Sequence, residues 1–205
     1  MNKIIRLIVA VLCSFATAET FAEYGPLNDA QIADITVTAT TVAINRGKLA
    51  DKKSHNREVR AFAREMVDNH TQLNNQVSAL VKKLHLDSGG NDLSVSLKKN
   101  DEESLHKLQA LNDKAFDRAY VDNEVAFHKT ILNNLDNTLI PNAKNAELKH
   151  MLRKMRAQTE EHLEAFSSLR VWLSALDNHA SRGTARGSKR IQTRVDSSVS
   201  PIPVA

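Results

Sequence analysis

Between residues 27 and 178 this chain contains a single proline, Pro141, and three glycines, Gly47, Gly89 and Gly90. A β-sandwich or barrel needs a turn about every ten residues, and turns are built largely from Gly, Pro, Asn and Asp. So long a stretch without breakers leaves long helices as the way to order it. The apolar share is 41%, enough to give such helices a common core. The aromatic share is only 4%, too low for a stacking-based nucleic-acid binder, so no specific nucleic-acid partner is expected. The single cysteine, Cys13, excludes a disulfide scaffold, a Cys-based zinc ribbon and an iron–sulfur cluster within the chain.

The apolar residues fall into helical stripes. Asn28 is placed to cap a helix entering at Asp29, with Gln31 at the third position as in a capping box. Ile32, Ile35, Ala39, Val42 and Leu49 follow at helical spacing, with Arg46 as an interruption, and predict helix A over about 29–52. Ser54 is the expected cap of helix B, whose stripe is Val59, Ala63, Met66, His70, Leu73, Val77, Leu80 and Leu84. Residues 93–111 predict a shorter helix led by Asp101, Glu102 and Glu103 as an acidic first turn. Helix C begins near Asp113 and runs to about Leu139. Asp117, Val121, Glu124, His128, Ile131 and Leu135 form its stripe, beside Phe116, Tyr120 and Phe127. Pro141 and Asn142 punctuate. Helix D then carries Leu148, Leu152, Met155, Thr159, His162, Phe166, Leu169, Leu173 and Leu176.

Helices A and B, and C and D, are a few residues apart, so each pair is an antiparallel hairpin. The B–C connection is different. A helix of about 25 residues is roughly 38 Å long. A connection of about 16 helical and nine extended residues spans roughly 50 Å, enough to cross the bundle. Two hairpins joined by a long crossover give an all-α, ferritin-like four-helix bundle over 27–178; the alternative is a simple up-down-up-down bundle.

The two ends have other characters. Lys3 and Arg6, the apolar run through Ala18 and the small residues around Ala18 and Ala22 form the pattern of a secretory signal over 1–22. The apolar run is shorter than the roughly 20 residues that span a bilayer, so no transmembrane segment is expected in the mature chain. The expected address is the periplasm or outer envelope of a bacterium. Residues 181–205 carry Arg182, Arg186, Lys189, Arg190 and Arg194 against Asp196 and predict a disordered basic tail. That tail holds the excess of positive charge, and an anionic surface is the partner it suggests.

The stripes hold one anomaly. His70, Glu124, His128 and His162 occupy seam positions where aliphatic residues belong, each near the middle of its helix. Mid-helix positions meet at mid-bundle whatever the helix direction, so all four predict one buried cluster. A buried polar group needs a partner, and leaving it without one costs about 1–3 kcal/mol. Three imidazoles and a carboxylate suit zinc, copper, iron or nickel better than calcium or magnesium. The alternative is an internal hydrogen-bonded cluster. Asp117 is read as a first-turn acid beside Tyr120. His55, His85, His106, His150 and His179 fall at helix ends or on polar faces. No Ser/His/Asp nucleophile arrangement, Gly-rich phosphate loop or Cys nucleophile is present after the signal segment.

Several segments together resemble a known family. They are Gly47-Lys48-Leu49-Ala50, Val59 through His70 (VRAFAREMVDNH), Phe116-Asp117-Arg118-Ala119-Tyr120 followed by His128, and Glu161-His162-Leu163. Over about residues 27–176 they are similar to the bacterial domain-of-unknown-function family 4142. The resemblance implies an exported protein of ferritin-like fold without an assigned activity. Family members typically carry Glu near the end of helix A, where this chain has Ala43 and Asn45. Ferritin-like di-iron sites use Glu-x-x-His on two helices, but Val67, Val125 and Thr159 stand three before the seam histidines. The missing carboxylates argue against a ferritin-type di-iron oxidase. They favour an exported, non-enzymatic bundle that binds a metal or partner in stress tolerance over a metal-dependent oxidoreductase using the His/Glu cluster. A surface-association protein acting through its tail is the third reading.

Overall fold

The computed structural model describes residues 26–87 and 90–196. The expected signal segment, 1–22, and the last residues of the expected tail, 197–205, lie outside the described residues.

Helix α1 is Asp29–Lys53. Its start is the expected capping box: Gln31 N–H donates to Asn28 Oδ1 at 2.9 Å, and Asn28 N–H donates to Gln31 Oε1 at 3.1 Å. Helix α2 is Arg57–Lys83, and its cap is Asn56 rather than Ser54. The Asn56 amide oxygen accepts from Glu58 N–H and Val59 N–H at 3.0 and 3.2 Å. Ser54 instead ends α1 and donates its hydroxyl to Asp117 at 2.6 Å. Helix α3, Asp92–Gln109, starts nine residues before Asp101 and is capped by Asn91. Asp101 is therefore mid-helix and buried, not the first-turn acid the charge run suggests.

Helix α4 is Asp113–Asn134 and passes through a π turn, Leu135–Leu139, into the short α5, Ile140–Asn142. Helix α6 is Ala146–Asp196. It thus runs through 181–196, where composition predicts disorder. Gly183 and Gly187 are the only breakers before Pro201, and a helix once nucleated propagates cheaply through such a stretch. Among the described residues, no helix is long and apolar enough to cross a membrane.

The crossover traverses the whole bundle. At one end Asn91 Nδ2 donates to Asp34 Oδ2 at 2.8 Å, near the start of α1. At the other end Lys53 Nζ donates to Asn112 Oδ1 at 3.1 Å, where α1 finishes and α4 begins. Helix α3 therefore runs alongside α1, and α2 and α4 run parallel. This is the ferritin-like order, not up-down-up-down. The α5–α6 loop is pinned back to the start of α1, because Asp29 accepts from Lys144 N–H and Asn145 N–H at 2.7 and 2.9 Å.

The apolar core comes in two blocks. One contains Ile32, Ile35, Leu73, Val77, Ile131, Leu135, Leu148 and Leu152. The other contains Ala50, Val59, Met66, Leu108, Phe116, Val121, Phe166 and Leu173. The split matches the sequence: each stripe changes from aliphatic to polar at mid-helix and back again. Gly47 lets α1 and α2 approach closely below this level. A Cβ there would stand 2.7 Å from Val67 Cγ2 and 3.0 Å from the Ala63 carbonyl oxygen.

Candidate metal centre

The level between the two apolar blocks is a buried polar layer. His70 enters it from α2, His128 from α4 and His162 from α6, and all three are buried. Their ring centroids are 5.0 Å apart for His70–His162, 5.6 Å for His128–His162 and 5.7 Å for His70–His128. One ring nitrogen from each can be chosen so that all three lie within 4.8 Å of one another. A metal–imidazole bond of about 2.0–2.1 Å sets ligand nitrogens roughly 3.3–3.6 Å apart, so binding needs a closure of about an ångström.

The hydrogen bonds around the rings decide which nitrogens face inward. His128 Nδ1–H donates to the Glu124 carbonyl oxygen at 2.8 Å, one turn back on α4, which leaves Nε2 as the lone pair. His162 Nε2 lies 3.3 Å from Asn69 Nδ2, and its Nδ1 is on the inner side. His128 Nε2, His162 Nδ1 and both nitrogens of His70 are buried without a hydrogen-bond partner. Metal-binding histidines are commonly fixed as His128 is, by a carbonyl that accepts from the outer ring N–H.

Glu124 sits in the same layer but faces the other way. Its Oε1 is 3.7 Å from Arg46 Nη1, and its Oε2 is 3.8 Å from His128 Nδ1, the nitrogen already given to the backbone. Arg46, which interrupts the stripe of α1, is buried. It donates from Nε to Asp101 Oδ1 at 2.7 Å, with its guanidinium 4.7 Å from the centre of the Phe127 ring. The structure thus brings His70, His128 and His162 together. It places Glu124 between them and an ion pair that periodicity did not reveal.

Burial sets the charges. It holds His70 down to about 3, helped by the neighbouring imidazoles, and His128 and His162 down to about 4, so all three rings are neutral at pH 7. Burial pushes the Glu124 carboxyl up to about 7, against the pull of Arg46. It also raises Asp101, against the Arg46 hydrogen bond.

The other residues singled out by sequence have structural places. Asp117 is not in the first turn of α4; it is buried and accepts from Ser54, which ties the α1–α2 corner to α4. Tyr120 is fully buried, with an unpartnered hydroxyl. His55 is exposed beside Asp113 at 3.0 Å. Arg46, Asp101 and Asn69 were missed. Arg46 did carry a signal, as a charge in a seam position at the height of the histidines.

A cleft of about 590 Å³ between α2 and α6 reaches the layer from outside. Met66, Asn69 and His162 form its inner wall, and Glu65, Lys154 and Glu161 stand in its lining. The layer therefore has one side open to small solutes.

The fold has a counterpart in the crystal structure of a Streptomyces coelicolor protein of DUF305, described as secreted. The two align with a TM-score of 0.61 at 14% identity, over 71% of this chain and 93% of that one, a likeness that carries the fold alone. No curated protein matches the chain. Residues 15–169 match the family described as Domain of unknown function (DUF4142), and the chain belongs to that family.

Proposed function

We propose that this protein is an exported helical bundle that holds one transition-metal ion on His70, His128 and His162. One observation carries the reading: three buried imidazoles from three helices present nitrogens within 4.8 Å of one another, and each ring has a buried nitrogen with no other partner. Burying such groups without a ligand is unfavourable by about 1–3 kcal/mol each. Imidazole donors suit zinc, copper or iron. Three protein ligands with an approach from the cleft leave a further coordination position open. Glu124 acts in this reading as an outer group: its carbonyl orients His128, and its carboxylate adds charge behind the ring. On His162 the Asn69 side chain, with Nδ2 at 3.3 Å from Nε2, holds the outer edge of the ring.

Export rests on the signal pattern over 1–22, and the description of the Streptomyces protein as secreted agrees with it. The donor set is mononuclear and lacks bridging carboxylates, which supports binding or buffering of a metal rather than di-iron oxygen chemistry. Equilibrium dialysis of the chain from Glu23 onward against zinc, copper and iron, followed by elemental analysis, tests this. One ion per chain is expected. The double substitution His70→Leu/His162→Leu should weaken binding by at least about a hundredfold. An unchanged stoichiometry in that variant, or no ion in the parent, would overturn the proposal.

A further inference from the structure

The charge inventory of the layer goes further and, resting on the metal-site reading, selects the kind of ion. The candidate ligands among the described residues are three imidazoles, which bring no negative charge. Arg46 and Asp101, 2.7 Å apart, cancel one another. Only Glu124 remains, with at most one negative charge to offer. From the protein's own groups a singly charged ion can therefore be balanced in full, whereas a doubly charged ion leaves one positive charge to be met from outside the layer. The penalty for an unbalanced buried charge grows as its square, so a lone dication is about four times as unfavourable as a lone monocation.

A second observation concerns donor softness. Met66 is buried one helical turn before His70 on the same stripe of α2, and with His162 it forms the inner wall of the cleft. A thioether is a soft, neutral donor that adds no charge and favours copper(I) over zinc(II). The cleft lining outside it carries Glu65 and Glu161 against Lys154, an excess of one carboxylate along the approach of a cation.

We infer that the site is built for copper(I), bound by His70, His128 and His162 with Met66 as the soft fourth donor. The balance involves no redox step: the ion arrives and leaves as copper(I).

The test uses the chain from Glu23 onward under anaerobic conditions. Copper(I) affinity is measured by competition with bicinchoninate, and zinc(II) affinity by competition with a chromophoric chelator. Copper(I) should bind one per chain and at least about a hundredfold more tightly than zinc(II). Met66→Leu keeps volume and apolarity, and circular dichroism checks that the helices remain. This substitution should weaken copper(I) about tenfold or more, shift zinc(II) less than about twofold, and remove a sulfur scatterer from the copper X-ray absorption spectrum. Zinc(II) binding as tight as copper(I) would overturn the inference while leaving the metal site standing. So would a Met66→Leu variant with unchanged copper(I) affinity. Failure of both ions to bind the parent chain would overturn the metal site itself.

Discussion

On the α1–α3 side of the polar layer, Arg46 and Asp101 form an ion pair at 2.7 Å, with the Glu124 carboxyl 3.7 Å from Arg46. On the α2–α6 side, His70, His128 and His162 meet as neutral rings. Both halves lie at the same depth and are walled by the same apolar blocks. In the first half Arg46 and Asp101 satisfy one another, while Glu124 Oε1 stays without a hydrogen bond. In the second, each ring has a buried nitrogen without a hydrogen-bond partner in the fold. A polar layer that served packing alone would gain from closing both halves. The difference is what supports the proposed metal site on the histidine side.

The largest expected effect that separates them is with pH, in metal-free protein. Unfolded histidine titrates near 6.5, while the folded rings titrate at about 3 to 4. Between these values the unfolded chain binds protons that the folded chain refuses, so stability falls as pH falls through the window. Glu124 works in the opposite sense between 4.5 and about 7, because here the folded chain keeps a proton that the unfolded chain has lost. The net difference is about two protons, so stability should fall by about 2–3 kcal/mol per pH unit at its steepest. Urea unfolding at pH 7.5, 6 and 5 measures it. A flat profile would mean that the rings are hydrated and that the two halves do not differ.

Asp101→Ala comes next. It strands the Arg46 guanidinium in the interior and should destabilise by about 3 kcal/mol, since breaking a buried pair from one side leaves an uncompensated charge. A loss below about 1 kcal/mol in denaturant unfolding would show Glu124 able to serve Arg46 alone.

His70→Leu should carry the opposite sign. It replaces a ring with two unpartnered nitrogens by an aliphatic side chain on an apolar stripe. The metal-free protein should gain on the order of 1 kcal/mol. A melting temperature below that of the parent would mean that the ring is already satisfied.

The smallest change is expected from Glu124→Gln, which lies on the boundary between the halves. Stability at pH 6 should stay within about 1 kcal/mol of the parent, because burial already favours the protonated carboxyl. The acid dependence should steepen by about 1.4 kcal/mol per pH unit once the opposing proton is gone. An unaltered slope would place the Glu124 carboxylate permanently with Arg46.

The helices were legible because their burial is periodic. The predicted helix A over 29–52 is Asp29–Lys53, and the length of the B–C connection was enough to indicate the crossover that α3 makes. The histidines were legible for the same reason: each breaks an aliphatic stripe at one height. Asp101 was not, because its partner is 55 residues away on a helix outside the two hairpins, and charge at a presumed helix start has a sufficient local explanation. Ser54 was misread for a related reason. Its hydroxyl answers Asp117, 63 residues on, rather than the nearest free N–H groups. The orientation of Glu124 also needed tertiary structure, since its place on the stripe of α4 is common to both of its neighbours, Arg46 and His128.

The three rings also divide unevenly over the chain: His70 stands on the α1–α2 hairpin, His128 and His162 on the α4–α6 hairpin. An ion held by all three ties the chain from position 70 to position 162, with position 128 held in between. Cross-links over loops of about this length remove roughly 4–5 kcal/mol of unfolded-state freedom in the chain-entropy picture. The only cysteine, Cys13, stands in the expected signal segment, so no thiol pair can do the same for the bundle. Coordination is then the staple available to this fold, a reversible one that a chelator opens and a thiol reductant leaves closed.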